Sequence, residues 1–392
     1  MKKRKKIWLI VLAIIAVLAV SICLWGKELL MRTAAGIIRH NIQKYDVGTS
    51  ESYCEFAVDP EQIEVYTSMG DSTVFGYGLE DMDFDQEPFE STYGYGVCSQ
   101  YAYPAMIQEQ LGLDDEQIHQ LAMGRMREED ILFLLDDSFK GDDYTQTYMA
   151  QKFWLRHGEG TVEKLKQVYR DSIQDADLIT LCMGGNNIFS LLDIQMSREA
   201  KGETLLEYAW DRYENSQSVT KPISRIFKIA KLVLSDEAAA YYQKMFEGVF
   251  YGYWGMGEYY DDVLDAIHSI NPQAKIVLVG MYNPAKDVYY RMNGTSEKAI
   301  VDVGAFLDAR IFNPINQKFR NYAEENADYC CYIDVSGIDM RTDMEARGIE
   351  PNLANGEFLT YFLENNAAHV HPNVEGHQFI YGQITKELLR KK

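Results

Sequence analysis

Four short segments of this sequence hold residues whose types can do chemistry together. In Met69-Gly70-Asp71-Ser72-Thr73 a hydroxyl stands at the end of an apolar run. An alcohol is a weak nucleophile until a neighbouring base takes its proton. His371, in His371-Pro372-Asn373-Val374-Glu375-Gly376-His377, offers that base, and the whole chain has only 7 histidines. Pro372 and Asn373 are helix-starting residues, so His371 falls on a loop at a helix entrance, where it can reach another element. Attack on a carbonyl also creates an oxyanion, which needs preorganised donors. Gly184-Gly185-Asn186-Asn187 meets that need: glycines let backbone approach a ligand closely, and the Asn186 amide can donate. Gly124-Arg125-Met126-Arg127 adds a turn whose backbone N–H can serve whatever its side chain. The chemistry these pieces suit is acyl transfer from an ester. It calls for no cofactor, and no Cys-x-x-Cys or His/Cys pairing suggests a metal site.

Buried strands must hold these pieces. Continuous apolar runs at Ile63–Ser68, Gln117–Met123, Leu178–Met183 and Lys275–Met281, with a fifth at Tyr332–Val335, suit strands covered on both faces. Between them lie helical stripes: Val162, Leu165, Val168, Tyr169 and Ile173; Phe306, Leu307, Ile311, Ile315 and Phe319; His377, Ile380, Ile384 and Leu388. Strands alternating with helices predict an α/β fold, a three-layer sandwich around a mostly parallel sheet of about five strands. The first three chemical segments each follow an expected strand, at the carboxyl edge where such folds place ligands. Residues 83–108 and 187–262 exceed what the sandwich needs and read as insertions. Their aromatic residues either pack a helical cap or line a substrate groove.

The order Ser, Gly, Asn, His, with "GDS" after a strand and "HPNVEGH" near the C-terminus, resembles the SGNH/GDSL hydrolase family of serine esterases and lipases. The likeness covers roughly residues 62–385, and "NPQAKIVLVGMYNP" at 271–284 resembles the strand before the final block in bacterial members. The resemblance implies a flavodoxin-like sheet, with Ser72 as nucleophile and His371 as general base. It implies an oxyanion hole from the Ser72 N–H, Gly124 and the Asn186 amide, with Asp71 and Gly184 as supporting motif residues. Either Gly124 or Arg125 can occupy the second donor position. The sequence departs from the family twice. Asn187 stands where the third block usually ends in Asp. Ala368 stands three residues before His371, where the family places the acid that orients the imidazole. A backbone carbonyl, Glu364 or a carboxylate from a distant loop could take that role.

The N-terminus suggests where the domain works. Lys2, Lys3, Arg4, Lys5 and Lys6 precede an apolar run over 7–25 that as a helix would span about 28 Å, close to a bilayer's hydrocarbon thickness. Trp8 and Trp25 sit near its ends, and the basic cluster favours the cytoplasmic side. The reading is a basic tail at 1–6, a single-pass signal-anchor helix at 7–25, a membrane-proximal stalk and lead-in at 26–62, and an extracytoplasmic hydrolase domain at 63–392. A cleaved signal peptide is the rival reading. Of 392 residues, 47% are hydrophobic and 25% charged, as in ordinary globular chains. The net charge of −21 repels phosphate backbones and excludes nucleic-acid binding as a main role. The 6 cysteines are irregularly spaced and do not form a disulfide framework, and Cys182 reads as a buried thiol. The expected partner is a small-molecule, glycan or lipid acyl ester. Two other functions fit the same residues: an O-acyltransferase on the same scaffold, and a catalytically silent envelope binding protein.

Overall fold

The computed structural model describes residues 28–29, 31–82, 98–142, 145–146, 162–187, 257–286, 289–290, 296–338, 352–353 and 371–389. Residues 7–25 lie outside them, as do most of the two expected insertions. No helix among the described residues is long and apolar enough to cross a membrane.

The core is a sheet of five parallel strands: β1 (Tyr66–Gly70), β2 (Ile118–Gln120), β3 (Leu178–Cys182), β4 (Lys275–Val279) and β7 (Cys330–Ile333). Their order is β2-β1-β3-β4-β7. Three two-residue strands, β5 (Tyr289–Tyr290), β6 (Val301–Asp302) and β8 (Asn352–Leu353), make a small separate sheet. All residues of β1 and β3 are buried, as central strands covered on both faces require. Their buried polar groups are satisfied: Tyr66 Oη meets Thr180 Oγ1 at 2.7 Å, and Thr67 Oγ1 donates to Ser172 O at 2.9 Å.

Among the described residues, helices lie on both faces of the sheet. In chain order they are α1 (Ser72–Phe75), α2 (Tyr103–Leu111), α3 (Glu128–Leu135), α4 (Val162–Asp175), α5 (Tyr260–Ile270), α6 (Val303–Leu307), α7 (Asn313–Glu325) and α8 (Val374–Leu388). One face packs α3, α4, α5 and α7 in a cluster with Ile179, Leu181, Ile276 and Leu278. The other packs α1, α2 and α8 with Leu178, Val277, Val279 and Ile333. This is the expected three-layer α/β sandwich. The helical stripes fall inward: Leu165, Tyr169 and Ile173 are buried on α4, and His377, Ile380, Ile384 and Leu388 on α8.

The strand boundaries differ from those read in the sequence, and the first and last strands show why. The first ladder begins at Tyr66, not Ile63, because Asp177 takes the N–H groups of Glu64 and Val65, at 2.7 and 3.0 Å. It continues to Gly70, where a side chain would overlap the Cys182 carbonyl oxygen. The last strand begins at Cys330, not Tyr332, since the paired cysteines are themselves fully buried ladder residues. The lead-in lies along the domain. Tyr53 pairs with Tyr332, Val58 N donates to Leu388 O at 3.0 Å, and Asn313 Nδ2 donates to Asp46 Oδ1 at 2.9 Å.

Candidate active site

Ser72 is the first residue of α1, immediately beyond the carboxyl end of β1. Asp71 caps the helix: its Oδ1 accepts the Thr73 N–H at 2.9 Å, an Asp N-cap of ordinary form. The Ser72 N–H belongs to the first turn, whose donors have no intrahelical acceptor. Gly70 makes the turn possible. Its φ of 138° and its contact with β3 both exclude a side chain.

His371 arrives from the other end of the chain. Asn373 caps α8 by accepting the Gly376 N–H at 2.9 Å, and His371 stands two residues before that cap. Its Nε2 lies 2.7 Å from Ser72 Oγ. The imidazole is 6% exposed and packs on the Tyr77 ring, centroid to centroid 4.8 Å. The second histidine of this motif has a different position. His377 is fully buried in the core, its Nδ1 accepts the Tyr103 N–H at 3.3 Å, and burial, then the nearby His371, push it down to about 3. It stays neutral across the physiological range.

Asn186 follows β3, after Gly184 with its φ of 110°. Both hydrogens of its amide are placed: Nδ2 donates to Met126 O at 3.1 Å and to Asp71 Oδ2 at 3.2 Å. Asn186 therefore links the turns after β1, β2 and β3. Burial raises the Asp71 carboxyl to about 6, partly countered by the Thr73 hydrogen bonds. Gly124 lies in the turn after β2, as expected, yet the unusual backbone belongs to the next residue. Arg125 has a φ of 62°, the one positive value among described non-glycine residues. That conformation costs an L-residue about 1–2 kcal/mol, and such strain clusters at working sites. The Arg125 charge also acts on Tyr77, opposing the rise that burial gives its hydroxyl.

A polar shell behind these residues escaped the sequence reading. Asn187 Oδ1 accepts the Glu128 N–H at 3.2 Å, and its Nδ2 donates to Glu129 Oε2 at 2.7 Å. Arg127 is buried and forks onto two carboxylates. It donates to Asp130 Oδ1 and Oδ2, both at 3.1 Å, and to Asp142 Oδ1 and Oδ2 at 2.9 and 3.0 Å. It also reaches Glu129 Oε1 at 3.2 Å. Glu128, fully buried, accepts the N–H groups of Gly257 and Tyr259 at 2.8 and 3.3 Å. Burial raises its carboxyl to about 7. The readable sign of this shell was Arg127-Glu128-Glu129-Asp130 directly before the apolar run Ile131–Leu135. That is a helix-start pattern, and Asp130 takes the Arg127 N–H at 2.9 Å.

The cavity of about 700 Å³ between α3, α4 and α5 is lined by Leu132, Asp136, Arg170 and Asp265 among others, and none of the candidate residues borders it. Ala368 and Glu364 lie outside the described residues. No group of His, Cys, Asp and Glu arranged to hold a metal ion occurs among the described residues.

No protein-family model and no curated protein matches the sequence. Solved structures do. Phospholipase A1 from Streptomyces albidoflavus NA297 is 14% identical, with 83% of this chain and 99% of that one covered and a TM-score of 0.38. The extracellular lipase from Streptomyces rimosus is 17% identical, covering 82% and 98%, with a TM-score of 0.39. The acetylxylan esterase Axe2 from Geobacillus stearothermophilus is 13% identical, covering 84% and 95%, with a TM-score of 0.33. The neighbours are lipases and esterases. At this degree of likeness, the chemistry of the chain rests on its own side chains.

Proposed function

We propose that this chain is a serine ester hydrolase of the SGNH/GDSL type. One observation carries the reading: Ser72 Oγ and His371 Nε2 lie 2.7 Å apart at the carboxyl edge of the sheet, although 299 residues separate them. With Nε2 unprotonated, the hydroxyl donates to it, and His371 takes that proton as Ser72 Oγ attacks the ester carbonyl. The Ser72 N–H, the turn at Gly124 and Arg125, and the Asn186 amide are the oxyanion donors. Asn186 gains this role by exchanging its Asp71 bond for the oxyanion while keeping Met126 O. Loss of one such donor costs about 3 kcal/mol of barrier. His371 then protonates the departing alcohol, and water, activated by the same imidazole, releases the acid from Ser72.

Residues 7–25 serve as a single-pass anchor, with residues 63–392 as the catalytic domain on the outer side of the cell membrane. The substrates are carboxylic esters of lipids or of acylated glycans. The acidic chain favours neutral polymers over anionic ones. The test is turnover of short- and medium-chain chromogenic esters by the full-length protein in detergent, beside Ser72→Ala. Activity that disappears in the variant is expected. Equal inactivity of both proteins across all acyl lengths would overturn the hydrolase reading. Acyl transfer outrunning hydrolysis when a sugar acceptor is added would reassign it to acyltransferase chemistry.

A further inference from the structure

Cys54, Cys98, Cys182, Cys330 and Cys331 are thiols in this structure. Two of them stand in a special register. Tyr53 and Tyr332 form an antiparallel bridge and exchange both backbone hydrogen bonds, each at 2.8 Å. In antiparallel pairing, the neighbour of such a hydrogen-bonded pair is a non-hydrogen-bonded pair. There the Cα atoms come to about 4.5 Å and the side chains approach most closely. One step from the bridge, that pair is Cys54 and Cys331. The spacing lies within the range a disulfide spans.

Side-chain direction agrees with the register. Cys331 belongs to the buried cluster beneath α8, with Val335, Ile384 and Leu388, and Cys54 packs against the same cluster. Cys330 faces the opposite layer. Burial, and then a hydrogen bond with the Cys54 thiol, hold the Cys331 thiol well above its usual range. Cys54 is only half buried, and its Sγ donates to Phe56 O at 3.1 Å.

We propose that Cys54 and Cys331 are a redox pair that closes into a cross-strand disulfide, fastening the lead-in segment to β7. The oxidant is an exchangeable disulfide, a small-molecule or protein one. The Cys54 thiolate attacks one of its sulfurs, forms a mixed disulfide and expels the first thiol. Cys331 then gives up its proton and attacks the Cys54 sulfur, and the second thiol leaves. The protein loses two hydrogens and two electrons, and the oxidant becomes two thiols. The half-buried position of Cys54 makes it the entry point, and the buried Cys331 is the resolving partner. This inference does not depend on the hydrolase reading.

Peptide mapping of the full-length protein tests it. The reduced chain is incubated with oxidised glutathione, remaining thiols are alkylated, and the digest is analysed with and without reductant. A Cys54–Cys331 linked peptide is expected, released by reductant, together with a thermal midpoint higher by about 5 °C in the oxidised form. Cys54→Ser should abolish both, and Cys330→Ala should retain the link. Glutathione left on Cys54 with no internal link, a Cys54–Cys330 link, or full alkylation of Cys54 after oxidation would each overturn the proposal.

Discussion

Replacing Asn187 with aspartate tests how the loop carrying Asn186 is held. Asn187 faces one donor and one acceptor: it accepts from Glu128 N and donates to Glu129 Oε2. Asn187→Asp keeps the first bond. It replaces the second with two carboxylate oxygens where the separation is now 2.7 Å. Two like charges about 4 Å apart repel by about 4 kcal/mol at an effective dielectric of 20, and the lost bond to a charged group is worth another ~2 kcal/mol. Protonation of one acid limits the cost, because burial already raises Glu129. A net loss of about 3 kcal/mol is expected, which as a barrier increase is roughly a hundredfold in turnover. Glu129→Gln alone gives up one Arg127 contact and should cost about 1 kcal/mol. The double variant restores complementarity, since an amide at 129 can donate to an aspartate at 187. It should recover most of the loss. The assays are denaturant unfolding, which reads the pair even without a substrate, and kcat/KM on a chromogenic ester. Additive losses in the double variant, with no coupling beyond about 0.5 kcal/mol, would refute the pairing.

Three further outcomes follow from particular positions. Gly70→Ala should unfold the chain at growth temperature or cost more than about 4 kcal/mol, because its side chain overlaps β3 at Cys182 O; a circular-dichroism melt decides it. Arg125→Gly relieves a left-handed backbone, so stability should change by less than about 1 kcal/mol by the same melt, while KM moves more than kcat if the guanidinium meets substrate. Glu128 binds its proton more tightly when folded, about 7 against an ordinary 4.5, so its contribution to stability falls as pH rises between those values. Glu128→Gln should flatten the thermal midpoint across that window, and an unchanged slope would exclude Glu128 as the source.

The sheet and the Ser72–His371 pair were legible because both leave strong local marks. Runs such as Leu178–Met183 can hardly be anything but buried strands. Gly70-Asp71-Ser72 and His371-Pro372-Asn373 each combine a chemical group with the punctuation that positions it. The supporting shell was legible only in part. Asn187 and Glu129 are 58 residues apart and Arg127 and Asp142 are 15 apart, so their contacts follow from the fold and have no periodic signature. The Asn187 departure looked like the loss of an acid. In the structure a carboxylate is present nearby, supplied by Glu129 on a different element. Gly124 and Arg125 were the two candidates for the second donor, and the left-handed backbone of this turn falls at Arg125, which residue type does not signal. Cys54 opposite Cys331 depends on the register of one bridge, which hydrophobic pattern does not encode.

The anchoring of Gly257 and Tyr259 by Glu128 has a further consequence. The chain between 187 and 257 starts beside Asn186 and is received again by the first turn of α3, so both of its attachment points belong to the scaffold of the reactive edge. A substitution in that first turn is therefore felt at Asn187 and at Gly257 together, two positions that lie far apart along the chain.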